Sequence, residues 1–535
     1  MTDTPAAEAA DPDTAEPART RLPVTPRLAR FLVLLAVFIC AACGLVYELA
    51  LVAIGSYLLG DTITQASVVL SVMVFAMGVG SLLSKRYQAR PALSFAVVEG
   101  LLSLVGGLSI LLLYGSFAWL SASAYQPTLV LLAFVIGMLI GIEIPLLMTL
   151  IQRIRKQDAS EAVADLFAAD YVGGLIGGLA FPFLLLPLLG LPKGALMVGA
   201  LNAVIGMAVV LWLFRSELTR LAYVGLTAGL VVIVTVLALA FYYAERFEVD
   251  ARQAMYRAPI VHADRSEYQE IVVTQSLDGV DTRLFLNGDL QFSTLDEYRY
   301  HESLIHPAMA GPRQDVLILG GGDGLALREI LRYDDVESAT LVDLDPAVIE
   351  LAREDPVIRD LNDDSLRDPR VDVVNTDAFQ WLRDNAEDFD VVIADLPDGT
   401  DVGTSKLYTV EFYSLIGQAM SGDGRLVVQA GSPFFAPDAY WGVRHSLEEA
   451  GIEVTPYNVD VPTFGNWGFY LGTMNGAPEL RMPEDAPELR YLDQPLLDAA
   501  QVFPLDRREE DVQESTMMHP RVIGYHQDRQ SWRGY

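Results

Sequence analysis

The stretch LILGGGDGLALRE, residues 317–329, decides the fold of the carboxyl-terminal half of this chain. It contains a short apolar run, four glycines within five residues and then an amphipathic run, which is the order of a strand, a tight turn and a helix. Glycine lets the backbone turn sharply and lets a ligand approach the main chain closely. The stretch therefore predicts a ligand site at the carboxyl end of a parallel strand, with Gly320 and Gly322 as candidate binding residues.

Strand-like and helix-like runs alternate on both sides of this turn. The predicted strands are EIVVTQ, TRLFLNG, DVLILG, ATLVDLD, VDVVNT, FDVVIADL, GRLVVQA and GFYLGT. Such alternation predicts a mostly parallel sheet with crossover helices, after a small β unit. We predict that the β unit covers 258–305, that the α/β domain covers 306–475, and that 476–535 form a carboxyl-terminal extension.

The amino-terminal half has a different character. Residues 1–30, rich in Ala, Pro, Asp, Glu and Thr, predict a disordered tail. Residues 31–244 form apolar runs close to the roughly 20 residues that a helix needs to cross a membrane. We predict about seven crossings, at 31–53, 64–83, 93–115, 128–151, 171–190, 194–214 and 221–243. Basic residues cluster before the first run and after the second, fourth and sixth, which predicts a cytoplasmic amino terminus.

Charge and cysteine content exclude several functions. The formal net charge of −32 argues against nucleic acid as a partner, because phosphates need clustered Lys and Arg. The two cysteines, Cys40 and Cys43, lie in one apolar run, where they predict small packing residues. His306, His445 and His519 show no metal-ligand spacing, so we expect no metal site.

Acidic residues follow the predicted strands beside the glycine turn. Asp343 ends the second strand, 19 residues after Gly324, near the spacing at which an acidic side chain accepts ribose hydroxyls. Asp377, followed by Ala378, ends the third. Asp323 lies inside the turn, where a carboxylate would repel phosphate. The pattern predicts a nucleoside without a pyrophosphate.

At these residues the chain resembles the spermidine synthase family of aminopropyltransferases, which have the Rossmann-like fold of class I methyltransferases. The resemblance runs from about 266 to 473 and includes SEYQEIVV, LFLNGDLQFSTLDEYRYHESLIHPAM, LILGGGDGLALREILRY, LVDLDPAVIELARE, NTDAFQWL, FDVVIADLPD and VPTFGNWGFYLGT. The apolar amino-terminal half resembles the membrane-attached branch of that family.

The resemblance implies a role for individual residues. Gln269, Asp343, Asp377 and Ala378 match positions that hold the donor, decarboxylated S-adenosylmethionine. His301 and Asp323 match positions near the aminopropyl and amine groups, and Asp398 matches the amine-binding aspartate. Asp395 matches the catalytic acid-base, and Tyr300 a tyrosine that orients the attacking nitrogen. The implied product is spermidine from putrescine, the implied co-product is methylthioadenosine, no other cofactor is implied, and the implied assembly is a homodimer or homotetramer.

The sequence departs from the family pattern in three places. Phe464 stands where many members have the Tyr of a TYP segment, Asp343 where Glu is usual, and DLPDGT where DSSDP is commoner. The identity of the acceptor amine therefore stays open. Two alternatives remain: a methyltransferase using intact S-adenosylmethionine, whose carboxylate Asp323 would disfavour, and a polyamine-binding sensor or gate for a membrane transporter.

Ionisable residues within the apolar runs motivate the second alternative. Glu48, Glu99, Glu143 and Asp170 lie in or at the edges of predicted membrane spans, where a charge is expensive. They either line a path for a cation or hydrogen-bond between helices.

The side of the membrane is a further open point. Seven crossings from a cytoplasmic start would place the catalytic domain outside, whereas its donor is made in the cytoplasm. We expect a multi-pass protein of the cell membrane with a cytoplasmic catalytic domain. That expectation requires either that 171–190 be re-entrant or that the count differ by one; otherwise the domain works outside.

Overall fold

The computed structural model describes residues 23–59, 62–120, 122–154, 159–256, 258–385, 387–509 and 512–527. The chain divides into two compact units, Met1–Met255 and Tyr256–Tyr535, which we call the helical unit and the synthase unit. Most of the predicted tail, 1–22, lies outside the described residues. Its end was placed wrongly, because the first helix already begins at Pro26, where proline fits the first turn without needing a donor.

The helical unit consists, in its described part, of seven long helices. These are α1 (Pro26–Leu59), α2 (Thr62–Ser84), α3 (Pro91–Gly115), α4 (Ala122–Ile154), α5 (Ala159–Ala180), α6 (Leu186–Leu213) and α7 (Arg220–Tyr256). By length and composition, six helical stretches in the described residues are apolar enough to cross a membrane. One of these, Val163–Leu213, contains both α5 and α6.

The long stretch is broken at Gly190, whose φ of 68° and ψ of 178° are not helical. The π-helical turn Phe181–Leu185 joins α5 to α6, so that residues 159–189 run on as a helix of about 46 Å. This exceeds the roughly 30 Å of a hydrocarbon core. A re-entrant half-helix at 171–190 therefore does not match the geometry, and the two predicted spans meet at Gly190.

The helices alternate in direction. Helices α1, α3, α5 and α7 run one way, and α6 runs against α3, so the chain enters the unit at one end and leaves it at the other. The contacts that show this are Phe38–Gly173 and Ala42–Gly177 (α1 with α5), Cys40–Glu99 and Tyr47–Gly106 (α1 with α3), Glu99–Gly206 and Ser103–Gly199 (α3 with α6), and Gly100–Ile233 and Gly107–Leu237 (α3 with α7).

Small residues bring these helices together. A Cβ atom at Gly141 would lie 2.1 Å from the carbonyl oxygen of Met77, and one at Gly173 would lie 2.1 Å from that of Phe38. Only glycine permits such backbone contact. The small residues of GMLIG (137–141) and YVGGLIGGLA (171–180) therefore serve close helix packing.

The synthase unit begins with a four-stranded antiparallel sheet in the order β1-β2-β3-β4, followed by a helix. The elements are β1 (Ile260–Arg265), β2 (Glu270–Gln275), β3 (Thr282–Leu286), β4 (Asp289–Ser293) and α8 (Glu297–Ile305). Strands β1 and β4 were not among the named predictions. The signal for β4 was present, because Asn287 and Gly288, both with positive φ, form the two-residue turn of a hairpin.

The main sheet has seven strands in the order β10-β11-β9-β8-β5-β6-β7. These are β5 (Asp315–Gly320), β6 (Ser338–Asp343), β7 (Val371–Asn375), β8 (Phe389–Asp395), β9 (Met420–Gln429), β10 (Glu453–Val461) and β11 (Gly465–Thr473). Strands β5 to β9 pair in parallel, whereas β10 and β11 pair antiparallel. The sequence analysis missed β10, because Pro456 lies inside it; proline is tolerated there since β10 is an edge strand.

Helices cover both faces of this sheet, as a Rossmann-like fold requires. Along β5, Val316 and Ile318 join one buried cluster, and Leu317 and Leu319 join another on the opposite face. The covering helices are α9 (Leu325–Ile330), α10 (Pro346–Glu354), α11 (Pro356–Leu361), α12 (Ala378–Asp384), α13 (Val402–Ser405), α14 (Val410–Ala419), α15 (Pro437–Glu449), α16 (Gln494–Ala500) and α17 (Arg521–Gln527).

The segment after 476 is part of this core. Leu492 and Leu497 are buried with the residues of β5 and β6. The carboxylate of Glu302 in α8 accepts hydrogen bonds from the backbone N–H groups of Arg490, Tyr491 and Leu492. The segment therefore packs as an integral part of the synthase unit.

Candidate active site

The candidate site lies at the carboxyl ends of β5 and β8, on either side of the point where the strand order reverses. Gly320 pairs with Asp395 across these two strands. A Cβ atom at Gly320 would lie 2.0 Å from the carbonyl oxygen of Asp395, and the φ of Gly320 is 84°. Glycine is therefore required here both for the turn and for the approach of the two strands. A crevice at such a switch point is where open α/β sheets bind ligands.

The glycine turn is tied to the end of β6. The N–H of Gly322 donates to Oδ2 of Asp343 at 3.1 Å, and the N–H of Asp345 donates to Oδ1 of Asp343 at 2.9 Å. Burial raises the pKa of Asp343 to about 6, against the lowering effect of these hydrogen bonds. The turn and Asp343 are thus brought together as predicted.

Gln269 reaches the same strand end from the small β sheet. Its Nε2 donates to Oδ2 of Asp345 at 2.9 Å, and the hydroxyl of Ser266 donates to the same oxygen at 2.6 Å. Asp345 is buried and also caps α10 by accepting from the N–H of Ala347. The sequence analysis did not single out Asp345, although an Asp immediately before Pro346 is a recognisable helix start.

Asp377 and Ala378 lie at the end of β7. Asp377 caps α12 by accepting from the N–H of Gln380 at 3.0 Å, and its Oδ2 accepts from Nζ of Lys406. Burial by itself would raise the pKa of Asp377, but Lys406 and the backbone donors hold it below its ordinary value. Lys406 comes from a distant loop, and the sequence offered no signal for its contact with Asp377.

Asp395 ends β8 and is paired with a tyrosine of α8. The hydroxyl of Tyr300 donates to its Oδ1 at 2.6 Å, across 95 residues of sequence. Burial and Asp323 raise the pKa of Asp395, His301 and the Tyr300 hydrogen bond lower it, and the net value is about 6. The structure therefore joins the two predicted catalytic residues, and it gives Asp395 a proton affinity suited to a base near neutral pH.

His301 and Asp323 lie beside this pair. Nδ1 of His301 lies 3.0 Å from Oε2 of Glu297, which also accepts from Arg328 at 2.9 Å. Burial opposes a charge on His301, but Glu297, Asp323 and Asp395 together raise its pKa above the ordinary value. Burial raises the pKa of Asp323 as well, although His301 opposes this. Glu297 was missed by the sequence analysis; its position four residues before His301 on one helix was the available signal.

The loop after β8 carries Asp398. Nε2 of Gln429 lies 3.4 Å from Oδ1 of Asp398 and donates to the hydroxyl of Tyr408 at 2.7 Å. Phe464, the departure noted in the sequence, packs edge-on to Tyr300 with the ring centroids 5.9 Å apart. An aromatic ring therefore still borders Tyr300 at this position, without a hydroxyl.

Comparison with known proteins follows this geometry. The Spermine/spermidine synthase domain family matches residues 297–482. Polyamine aminopropyltransferase 1 of Streptomyces coelicolor is 56% identical over 513 residues, which cover 95% of this chain and 96% of that protein. The polyamine aminopropyltransferase of Mycobacterium tuberculosis CDC 1551 is 45% identical and covers 92% of this chain and 95% of its own length. A crystal structure of a spermidine synthase with the transition-state analogue AdoDATO is 28% identical over 46% of this chain and 85% of its own, with a TM-score of 0.43.

The identity to the two polyamine aminopropyltransferases extends through both units and is not confined to the glycine turn. The sequence resemblance and the strand-end acids agree with it. The chain belongs to the polyamine aminopropyltransferase family and is an enzyme of the spermidine synthase type.

Proposed function

We propose that the synthase unit transfers an aminopropyl group from decarboxylated S-adenosylmethionine to a diamine, with putrescine as the acceptor, giving spermidine and methylthioadenosine. The observation that carries this proposal is the hydrogen-bonded Tyr300–Asp395 pair at the strand-order switch point, next to the glycine turn. It provides a base at the place where an open α/β sheet binds its ligands.

The residues around the turn suit the donor. In the proposed complex Asp343 accepts the ribose hydroxyls, and Asp377 with Ala378 holds the adenine at the next strand end. Gln269 closes the site from the β sheet, held by Asp345. Gly322 lets Asp343 lie close to the turn, because a Cβ at Gly322 would meet Oδ2 of Asp343 at 2.7 Å.

Decarboxylated S-adenosylmethionine differs from the methyl donor, intact S-adenosylmethionine, in that it has no carboxylate. Asp323 lies beside His301 and Asp395, so the amino-acid end of intact S-adenosylmethionine would bring a further carboxylate into an acidic enclosure. A decarboxylated donor brings only an ammonium group. We therefore propose aminopropyl transfer and not methyl transfer.

The reaction needs a neutral amine. A primary amine with a pKa near 10 is unprotonated in about one molecule in a thousand at pH 7, a handicap of roughly 4 kcal/mol. In the proposed mechanism Asp395 accepts a proton from the acceptor nitrogen, which attacks the aminopropyl carbon bonded to sulfur. The C–N bond forms as the C–S bond breaks, and the sulfur leaves with the electron pair as the neutral thioether of methylthioadenosine. Asp398 and Asp323 hold the cationic ends of the amines, and Tyr300 fixes the acid. No further cofactor is required.

The test is to incubate the purified protein with decarboxylated S-adenosylmethionine and a panel of diamines, and to follow methylthioadenosine by mass spectrometry. We expect release with putrescine. Release only with a longer or shorter diamine would show that this diamine, and not putrescine, is the acceptor. Donor binding without release for any amine would contradict the proposed reaction.

We further propose that the helical unit lies in the cell membrane, as in a membrane-attached branch of the family, and that the enzyme works as a homodimer or homotetramer. The cytoplasmic origin of the donor favours a cytoplasmic synthase unit. Because α1 and α7 run in the same direction, that placement requires an external amino terminus, against the distribution of basic residues. The placement of the synthase unit is tested by fusing to Tyr535 reporters that are active on only one side of the membrane. Activity of the external reporter alone would overturn the cytoplasmic placement.

A further inference from the structure

The interior of the helical unit contains a cluster of three potential metal ligands. Cys40 of α1, Glu99 of α3 and Glu143 of α4 each present a ligand atom, and these atoms lie within 4.8 Å of one another. The side chains are buried, with exposed fractions of 1%, 0% and 5%. The three come from different helices, so the fold alone brings them together.

A second set of buried groups surrounds the cluster. Nδ2 of Asn202 in α6 donates to Oε2 of Glu99 at 2.7 Å and to the hydroxyl of Ser103 at 3.2 Å. Oε1 of Glu99, Oδ1 of Asn202 and the hydroxyl of Tyr47 have no hydrogen-bond partner within the described residues, although all three residues are 0% exposed. Leaving a buried polar atom unsatisfied costs about 1–3 kcal/mol. Asn202 thus fixes one oxygen of Glu99 and leaves the other available to a ligand.

No described ion pair reaches the carboxyl groups of the cluster. In the part of the chain that the structure describes, the ion pairs of the helical unit use Arg30, Arg153, Lys193 and Arg252, and none of them involves Glu99 or Glu143. Two carboxyl groups in a low-dielectric interior therefore keep their protons or bind a cation.

We propose that Cys40, Glu99 and Glu143 bind one divalent transition-metal ion, of which Zn²⁺ is the representative. A thiolate with two carboxylates is a donor set for a borderline-soft ion, not for Mg²⁺ or Ca²⁺, which take oxygen ligands. Bonds of about 2.0–2.3 Å require the ligand atoms to close to roughly 3.5 Å, which is a side-chain adjustment of about 1 Å. Binding releases the thiol proton and the carboxyl protons to solvent. The amide N–H of Asn202 orients Glu99 from outside, as supporting residues do in metal sites.

Cys43 provides a matched control. It lies on the same helix three residues later and is buried to a similar degree, but it is not one of the three clustered ligands. A change from Cys to Ser removes one sulfur atom in each case, and only Cys40→Ser removes a proposed ligand.

The experiment uses the full-length protein in detergent, without a histidine tag, stripped with a chelator and then equilibrated with Zn²⁺ or Co²⁺. We expect about one metal ion per chain by elemental mass spectrometry, a rise in Tm on loading, and a near-ultraviolet thiolate-to-Co²⁺ absorption band. Cys40→Ser should lose the band and bind Zn²⁺ at least tenfold more weakly, and Glu143→Gln should bind more weakly but keep the sulfur band at saturating Co²⁺. Cys43→Ser should behave as the unchanged protein.

Two results would overturn the proposal. One is that the wild-type protein holds well under one metal ion per chain after equilibration with the metal. That result would mean that the carboxyl groups hold protons instead. The other is equal loss of the absorption band in Cys40→Ser and Cys43→Ser. The measurement on the unchanged protein does not depend on whether any variant folds, and it is independent of aminopropyl transfer.

Discussion

Both units enclose carboxyl groups in their interior, but they surround them differently. In the synthase unit, Asp395 accepts a hydrogen bond from Tyr300 and lies near His301, and Glu297 accepts from the guanidinium of Arg328. In the helical unit, the described hydrogen bond to Glu99 comes from the neutral amide of Asn202.

This difference shows that burial alone does not decide whether a carboxyl group is ionised. Cationic neighbours in the synthase unit compensate ionised carboxylates, and Asp395 with a pKa of about 6 is a usable base at neutral pH. Where only neutral partners are present, the acid needs a proton or a bound cation. The first arrangement suits catalysis, and the second suits ion binding.

The largest effect is expected from Asp395→Asn. The amide keeps the shape but cannot accept the proton, so kcat/KM should fall by about 10²–10⁴-fold, the usual contribution of a general base. Steady-state methylthioadenosine release measures this. Donor binding by calorimetry should change little, and unchanged turnover would show that another group is the base.

A smaller but structural effect is expected from Gly320→Ala. The new Cβ would strike the carbonyl of Asp395, in addition to the strain of a positive φ. Gly451→Ala is the control, because Gly451 has a φ of 87° and nothing within 4 Å of an added Cβ. In thermal unfolding experiments we expect Gly451→Ala to lower the free energy of unfolding by about 1–2 kcal/mol. We expect Gly320→Ala to lower it clearly more. Equal changes in Tm would mean that the two strand ends move apart freely.

Tyr300→Phe should act on the pH dependence of the reaction. For the unchanged enzyme, kcat/KM should rise about tenfold per pH unit up to a pKa near 6 and then level off, because Asp395 must be deprotonated. The Tyr300 hydrogen bond lowers that pKa, so its removal should move the acid limb to higher pH. A shift of about one unit should lower kcat/KM about tenfold at pH 5 and only about twofold at pH 7. If the acid limb of the pH profile stays at the same pH, Tyr300 does not influence the ionisation of Asp395.

The smallest effect is expected from Glu143→Gln in metal-stripped protein. If the carboxyl groups are already protonated there, an amide of equal size should shift Tm by no more than a degree or two, whereas in metal-loaded protein it should remove most of the stabilisation by the ion. A large loss of stability in the stripped protein would show that Glu143 is ionised and paired, and would erase the contrast between the two units.

Much of the synthase fold was predictable, because parallel strands buried on both faces read as continuous apolar runs and glycines mark the turns. Strand β10 was not predicted, since Pro456 opposes a strand unless the edge is known. The end of the tail was also misplaced, because helix starts before an apolar run carry weak signals. Within the site, Asp395, Tyr300 and Asp343 were expected, whereas Lys406 at Asp377 depends on a contact across 29 residues that no local pattern encodes.

The sequence by itself determined the class of each half: apolar runs of membrane length, then alternating strands and helices with a glycine turn and acids at the strand ends. These are local properties of hydrophobic period, segment length and residue type, and they can be recognised in the sequence without knowledge of the tertiary structure. Only the tertiary structure decided which acids share an enclosure and with which partners. It placed Asp395 against Tyr300, Glu297 between His301 and Arg328, and Cys40 beside Glu99 and Glu143. Charge compensation depends on distances between elements far apart in the chain, and those distances arise only when the helices and strands pack.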